Sequence, residues 1–187
     1  MSGTPGEIEG WIVILKKGNL AERHGAEEAL RQSGAAAVEP LLRAIREDLD
    51  TDFRWYAARV LAGIGTPAIG RLIQELRGEK DREVRRYLAA SLGEIGEAAV
   101  RPLLGLLSVP EPELRGFAAL ALCRVGRPAI KPLSEALDDR DETVRSCAAL
   151  ILWQMGEDGA EALGKAFAMD EGGGEEKVAS RDGNGTH

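Results

Sequence analysis

Histidine is scarce in this chain of 187 residues, which contains only His24 and His187. A metal site built from several histidines therefore cannot form, and no serine, cysteine or aspartate stands at a spacing from them that suggests nucleophilic catalysis. Cysteine is equally rare, with Cys123 and Cys147 alone. Two cysteines without supporting histidines make a poor zinc site, so we expect no catalytic residue, metal or cofactor.

Long apolar runs and concentrated positive charge are also missing. The longest runs, Phe117–Cys123 and Cys147–Trp153, are seven residues each, against about 20 needed to cross a bilayer. The first residues lack the basic start and apolar stretch of a signal peptide. The 31 acidic residues outnumber the 24 lysines and arginines, for a formal net charge of −7. We therefore expect a cytoplasmic protein that binds neither membrane nor nucleic acid.

A regular spacing of glycine and arginine is the main positive feature. Five glycines recur every 30 or 31 residues: Gly34, Gly65, Gly96, Gly126 and Gly156. Five arginines recur with the same spacing: Arg23, Arg54, Arg85, Arg115 and Arg145. A period of this length indicates a stack of small helical units, each of which buries its apolar face only against its neighbours.

The apolar residues define two helices in each unit. A leucine follows every arginine by seven positions: Leu30, Leu61, Leu92, Leu122 and Leu152. Together with mostly apolar residues at offsets −1, 3 and 10, these leucines trace one face of a helix. The glycine follows at offset 11, where we expect a left-handed residue that ends the helix. Apolar residues at offsets 15, 18 and 22 then predict a second helix.

The predicted fold is all-α: a right-handed α-solenoid of about five helical-hairpin repeats with an N-terminal capping helix. The capping helix is placed at 1–18 and a disordered acidic tail, rich in glycine and poor in apolar residues, at 170–187. The solenoid occupies 19–169, with approximate repeats at 19–49, 50–80, 81–110, 111–140 and 141–169.

A polar or acidic residue of the kind that often caps the N-terminus of a helix stands four positions before each arginine. These residues are Asn19, Asp50, Asp81, Glu111 and Asp141. They suit the N-cap of the first helix, and an acid four residues before an arginine is a favourable helical pair. Stacked repeats would join the pairs into a structural ladder between neighbours. The alternative is a line of arginines offered to phosphate or carboxylate groups.

The outward face of the second helices is the candidate surface for a protein partner. Its residues are Glu39, Arg43, Arg46, Arg71, Gln74, Arg77, Arg101, Lys131 and Glu135. They vary between repeats while the apolar columns barely change, so this face can be tuned for one partner. The alternative is a merely solvated face. Trp55 is a further candidate anchor for a partner, although it could instead pack over a loop or the N-terminal cap.

These repeats resemble a known family. The segment 81–104, which reads DREVRRYLAASLGEIGEAAVRPLL, closely resembles a HEAT-like repeat of the phycobilisome-lyase type. The segments 111–137 and 141–167 resemble further copies, 50–76 fits with some departures, and 19–45 is more divergent. The resemblance covers nearly all of 19–168.

Three functions are implied by that resemblance. Most such proteins resemble non-catalytic scaffolds that bind another protein, which is the function we expect here. The alternative is a subunit similar to the bilin lyases, which act on phycobiliproteins. A third branch resembles deoxyhypusine hydroxylase, whose iron is held by His-Glu pairs. This chain contains no His-Glu dipeptide, so those ligands have no counterpart.

Overall fold

The computed structural model describes residues 3–172, and every regular element within them is a helix. A single 3-10 turn occupies Ala136–Asp138. The α-helices are α1 (Pro5–Lys17), α2 (Leu20–Ser33), α3 (Ala35–Glu47), α4 (Thr51–Ile64), α5 (Thr66–Gly78), α6 (Arg82–Ile95), α7 (Glu97–Leu104), α8 (Pro112–Val125), α9 (Arg127–Glu135), α10 (Glu142–Gln154) and α11 (Glu157–Gly172).

The helices stack in two rows. The first helices of the repeats, α2, α4, α6, α8 and α10, each pack on the next, and the second helices, α3, α5, α7, α9 and α11, do the same. Helix α1 packs on α2 and α3 as a second helix would, and it also reaches α4. This arrangement is an α-solenoid, as the periodicity predicted.

The core follows the leucine columns. Leu30, Leu61, Leu92, Leu122 and Leu152 are all fully buried, which confirms the predicted face of the first helices. Leu41, Leu72, Leu103 and Leu133 are buried in the same way on the second helices. Each such side chain stabilises the stack by about 1.5–3 kcal/mol on burial.

The glycine turns have a stricter geometry than predicted. All five column glycines have positive φ, which confirms that part of the prediction. At Gly96, however, φ is 82° and ψ is −140°. This lies toward the mirror image of the β region rather than in the left-handed helical region, and side chains other than hydrogen are almost excluded from it.

Helix α1 is fixed at both ends. Its N-cap Thr4 accepts from the backbone N–H of Glu7, whose carboxylate accepts from the backbone N–H of Thr4 at 2.7 Å. That backbone hydrogen bond, helped by the Thr4 hydroxyl, lowers the pKa of Glu7. At the other end, Lys16 forms an ion pair with Asp48 in the loop after α3.

The described residues end in helix α11, which reaches Gly172. The prediction of a disordered tail at 170–187 is therefore wrong for 170–172, which are helical, and from 173 onward it lies outside the described residues.

Candidate protein-binding surfaces

The residues before the first helices act as N-caps at four of the five predicted positions. Asp50 accepts from the backbone N–H of Phe53 at 2.9 Å. Asn19, Asp81 and Asp141 cap their helices in the same way. Glu111 occupies the N-cap position without a capping bond, because its carboxylate binds Arg85 instead.

The predicted pairing of each arginine with the residue four positions before it is wrong. Within residues 3–172, no hydrogen bond or ion pair joins those side chains. The capping side chains turn toward backbone N–H groups. Four of the five arginines turn toward the preceding helix end or loop, and the fifth, Arg85, donates to carboxylates of the following repeat. Arg54 donates from Nε to the carbonyl oxygens of Ile45 at 3.0 Å and Asp48 at 2.6 Å.

Three other arginines of the column also donate to carbonyl oxygens at the end of the preceding repeat. Arg23 bonds Lys16, Arg115 bonds Val109 and Pro110, and Arg145 bonds Asp139 and Arg140, all at 2.8–3.1 Å. These carbonyls lie in the last turn of a helix or in the loop after it, where no intrahelical donor remains for them. These four arginines therefore hydrogen-bond the first helix of their repeat to the helix end or loop that precedes it.

Arg54 and Arg85 reach the following repeat. Arg54 Nη2 lies 3.8 Å from Asp81, and Arg85 Nη1 lies 2.5 Å from Glu111 and 3.3 Å from Glu113. The hydrogen bond from Arg85 lowers the pKa of the Glu111 carboxyl. Arg54 and Arg85 are only 4% and 2% exposed, so neither is offered to a ligand in solvent.

In the N-terminal part of the solenoid, ion pairs on the second-helix face connect α1, α3 and α5. Arg71 on α5 binds Glu39 on α3 at 2.5 Å and donates to Gln74 at 2.6 Å. Arg46 on α3 lies 2.6 Å from Glu75 on α5. Arg43 extends the set to α1 through Glu9 at 3.8 Å. Four of the predicted binding residues, Glu39, Arg43, Arg46 and Arg71, thus connect neighbouring helices, whereas Gln74 bonds within α5.

The remaining cations of this face have no such partners. Arg77, Arg101 and Lys131 are exposed, and none forms an ion pair with another described residue. Glu135 is also exposed and lines a groove of about 450 Å³ together with Asp139 and Asp141. The second-helix face therefore changes along the solenoid. The arginines nearer the N-terminus form ion pairs with neighbouring helices. The later cations on α5, α7 and α9 have no ion-pair partner among the described residues.

The described residues offer no metal-binding group of three or more histidine, cysteine, aspartate or glutamate side chains. Both cysteines are free and partly exposed rather than buried, and partial burial raises the pKa of the Cys123 thiol. In the same part of the chain, no helix is both long and apolar enough to span a membrane.

Two family models match the chain. A model of HEAT repeats matches residues 100–174, and a model of the PBS lyase HEAT-like repeat matches residues 84–108. The chain contains HEAT repeats, and its residues 84–108 match the PBS-lyase type of that repeat. The resemblance drawn from the repeat pattern is thereby confirmed.

Solved structures similar to this HEAT-repeat protein include the complex of CpcE and CpcF of phycocyanin lyase from Nostoc sp. PCC7120. That likeness is 27% identical, covers 79% of this chain and 99% of the other, and has a TM-score of 0.41. A computationally designed armadillo repeat protein for modular peptide recognition is 19% identical, with coverages of 94% and 93% and a TM-score of 0.33. Among curated proteins, none matches this chain.

Trp55 lies on the first-helix face of the HEAT-repeat protein and is 47% exposed. Its ring meets Tyr56 edge to face, with 5.0 Å between centroids, and the Arg59 guanidinium lies 4.6 Å from the Trp55 centroid. Trp55 is thus held on two sides while half of its surface faces solvent.

Glu27 beneath this cluster was missed by the sequence reasoning. It is 2% exposed, with Oε2 at 3.3 Å from Arg31 and 3.7 Å from Arg59. Its position corresponds to Ala58 and Ala89 in the next two repeats. A glutamate in a column of small apolar residues was the available signal.

Exposed apolar residues on the first helices of repeats 4 and 5 were also missed. Leu120 and Leu150 line one groove of about 340 Å³, and Trp153 nearby on α10 is 68% exposed. All three fall between the core columns of their helices. Large side chains at those positions were a signal that the periodicity could have provided.

Proposed function

We propose that this HEAT-repeat protein is a non-catalytic scaffold that binds another protein through the second-helix face. The observation that supports it is the set of exposed cations Arg77, Arg101 and Lys131, which have no ion-pair partner among the described residues. They are spread over the successive second helices α5, α7 and α9. Beside them lies the part of the face where ion pairs connect α1, α3 and α5. A rigid surface of this kind loses little conformational freedom when it binds, so carboxylates of a partner can be engaged at low entropic cost.

The experiment is affinity purification from the native host followed by mass spectrometry. We expect the triple variant Arg77→Glu, Arg101→Glu, Lys131→Glu to lose the partners that the unaltered protein retains, because the reversed charges repel them. Arg43 and Arg71 are poorer choices, since reversing them would break contacts between helices.

A matched control makes the same change in net charge at exposed positions in or next to the loops between helices. Its substitutions are Lys17→Glu, Lys80→Glu and Arg140→Glu. This control should retain its partners. Equal retention by both triple variants would remove the second-helix face from the proposal.

The alternative is a subunit that acts as bilin lyases do. It is favoured by the match of residues 84–108 to the PBS lyase HEAT-like repeat. Its test is a titration with a linear tetrapyrrole followed by visible absorbance: a saturable spectral change would support this function, and an unchanged spectrum would count against it.

A further inference from the structure

The first-helix face contains a groove of about 270 Å³ between α4, α6 and α8. We call it the arginine–aromatic groove and define it by Trp55, Arg59, Arg86, Tyr87 and Arg124. It lies on the other row of helices from the surface of the proposed function, so the two can be tested separately.

The floor of the groove is small and fixed. Ala58, Ala90 and Ser91 line it. The Ser91 hydroxyl, which is buried, lies 3.0 Å from both the Ala58 and the Tyr87 carbonyl oxygens. The contact with Ala58 joins α4 to α6 directly beneath the opening. An apolar side chain that enters would therefore meet a floor that already has its final shape.

The walls are fixed as well. Arg59 lies over the Trp55 ring and is itself held by the buried Glu27. Arg124 crosses α6 at Gly93, where an added Cβ would come within 2.8 Å of the Arg124 Cβ. The missing side chain at Gly93 lets the arginine stem lie flat across the helix. Exposed tryptophan and arginine in a rigid setting are the residues that most often anchor a partner.

The charge of the groove is opposite to that of the chain. Three arginines and one carboxylate, that of Glu94, line it, whereas the whole chain carries −7. Each arginine has a carboxylate of the chain near it: Arg124 pairs with Glu94, Arg86 with Glu83 at 2.6 Å, and Arg59 with Glu27 at 3.7 Å, which Arg31 shares. The three arginine side chains are nevertheless 38–59% exposed, so a second carboxylate from outside can reach them. Positive charge around aromatic rings suits an occupant that combines carboxylates with an apolar side chain.

We propose that the arginine–aromatic groove binds a short acidic segment of a partner protein. One aliphatic or aromatic side chain of that segment packs between Trp55 and Tyr87, and its carboxylates meet Arg59, Arg86 and Arg124. Single-stranded nucleic acid fits less well. It needs a cationic track and a platform for successive bases, whereas this groove has room for one or two side chains.

The test uses a fluorescein-labelled peptide of glutamates around one central leucine, with binding followed by fluorescence anisotropy. We expect saturable binding that weakens about ten-fold in the double variant Arg59→Gln, Arg86→Gln. Lys80→Gln, Arg140→Gln, at exposed positions outside both proposed surfaces, is the matched control and should bind as the unaltered protein does. Circular dichroism melts establish that each variant is folded.

Two further arms separate the parts of the proposal. Trp55→Ala should weaken binding of the leucine peptide but not of a peptide with glycine in its place. A lysine peptide with the same leucine should not bind. Unchanged affinity in both groove variants, or equal binding of the lysine peptide, would overturn the proposal. Displacement of the peptide by a single-stranded oligonucleotide of equal charge, at equal concentration, would overturn it in favour of nucleic acid.

Discussion

Gly96 joins α6 to α7 in a conformation that alanine adopts only under strain, with φ at 82° and ψ at −140°. Nothing lies within 4 Å of a Cβ placed there, so the obstacle is the backbone and not the surroundings. Because the helices on either side are locked into their rows, the turn cannot relax without shifting one of them. The glycine is therefore required for the angle between the two helices of a repeat.

We expect Gly96→Ala to lower the free energy of unfolding by about 1–3 kcal/mol. Asparagine should not rescue it, since asparagine favours the left-handed helical region and not this one. The measurement is urea unfolding followed by circular dichroism.

Gly70 provides the opposite control. It is exposed within α5, and an added Cβ would meet nothing. Gly70→Ala should raise stability by about 0.5–1 kcal/mol, because alanine loses less backbone entropy in a helix. Equal effects at Gly70 and Gly96 would show that the turn conformation does not matter.

At the scale of the helix, α6 shows how one element supports two interfaces. Its Leu92 is fully buried between neighbours, while Ser91 beside it carries the hydrogen bond to α4. The preceding and following first helices both pack on α6. A cavity in this helix is therefore felt on both sides.

We expect Leu92→Ala to cost about 2–5 kcal/mol, through lost burial and the cavity left behind. Leu120 on α8 is 61% exposed, and Leu120→Ala should change stability by no more than about 0.5 kcal/mol. Thermal melts of the two variants decide the matter. A melting curve for Leu92→Ala that overlays that of the unaltered protein would contradict the register of α6.

At the scale of the whole molecule, what the sequence could predict depends on how each residue is constrained. The burial of Leu92 was predictable because a leucine at the same position is buried in every repeat, and the sequence therefore shows the pattern five times. The acceptors of Arg54 were not, because they are backbone carbonyls whose position depends on how a loop meets the next helix. Glu27 breaks its column in only one repeat, and the groove above it forms from three helices that the sequence alone does not bring together.

Stability of the whole stack should depend on pH through contacts between repeats. Asp48 pairs with Lys16, and Glu111 with Arg85. Burial acts to raise the pKa of Asp48, but the hydrogen bonds from Lys16 and the Asp50 backbone outweigh it, so the pKa is lowered. The pKa of Glu111 is lowered by Arg85. Lowered values mean that these contacts stabilise the fold above the ordinary values of 3.8 and 4.5 and are lost as the pH falls through the folded values.

The double variant Asp48→Asn, Glu111→Gln should be less stable than the unaltered protein near neutral pH, and the difference in stability should shrink as the pH falls below the ordinary pKa values of the two carboxyls. Urea midpoints across that range measure it. The control, Glu47→Gln with Glu135→Gln at exposed positions, removes the same charge and should show no such closing gap. A gap that is constant with pH would mean that the two carboxylates act through packing and not through charge.

The arginines that bind carbonyl oxygens have a consequence for how such a protein can change. Every loop offers carbonyls whatever its side chains are, so Arg115 and Arg145 find acceptors in loops that read Val109-Pro110 and Asp139-Arg140. A repeat of this kind that is copied and inserted elsewhere in the row would bring its own arginine. That arginine needs only backbone carbonyl oxygens, so the preceding repeat does not have to supply a matching side chain. Lengthening or shortening the row is thus open to simple gene duplication and deletion.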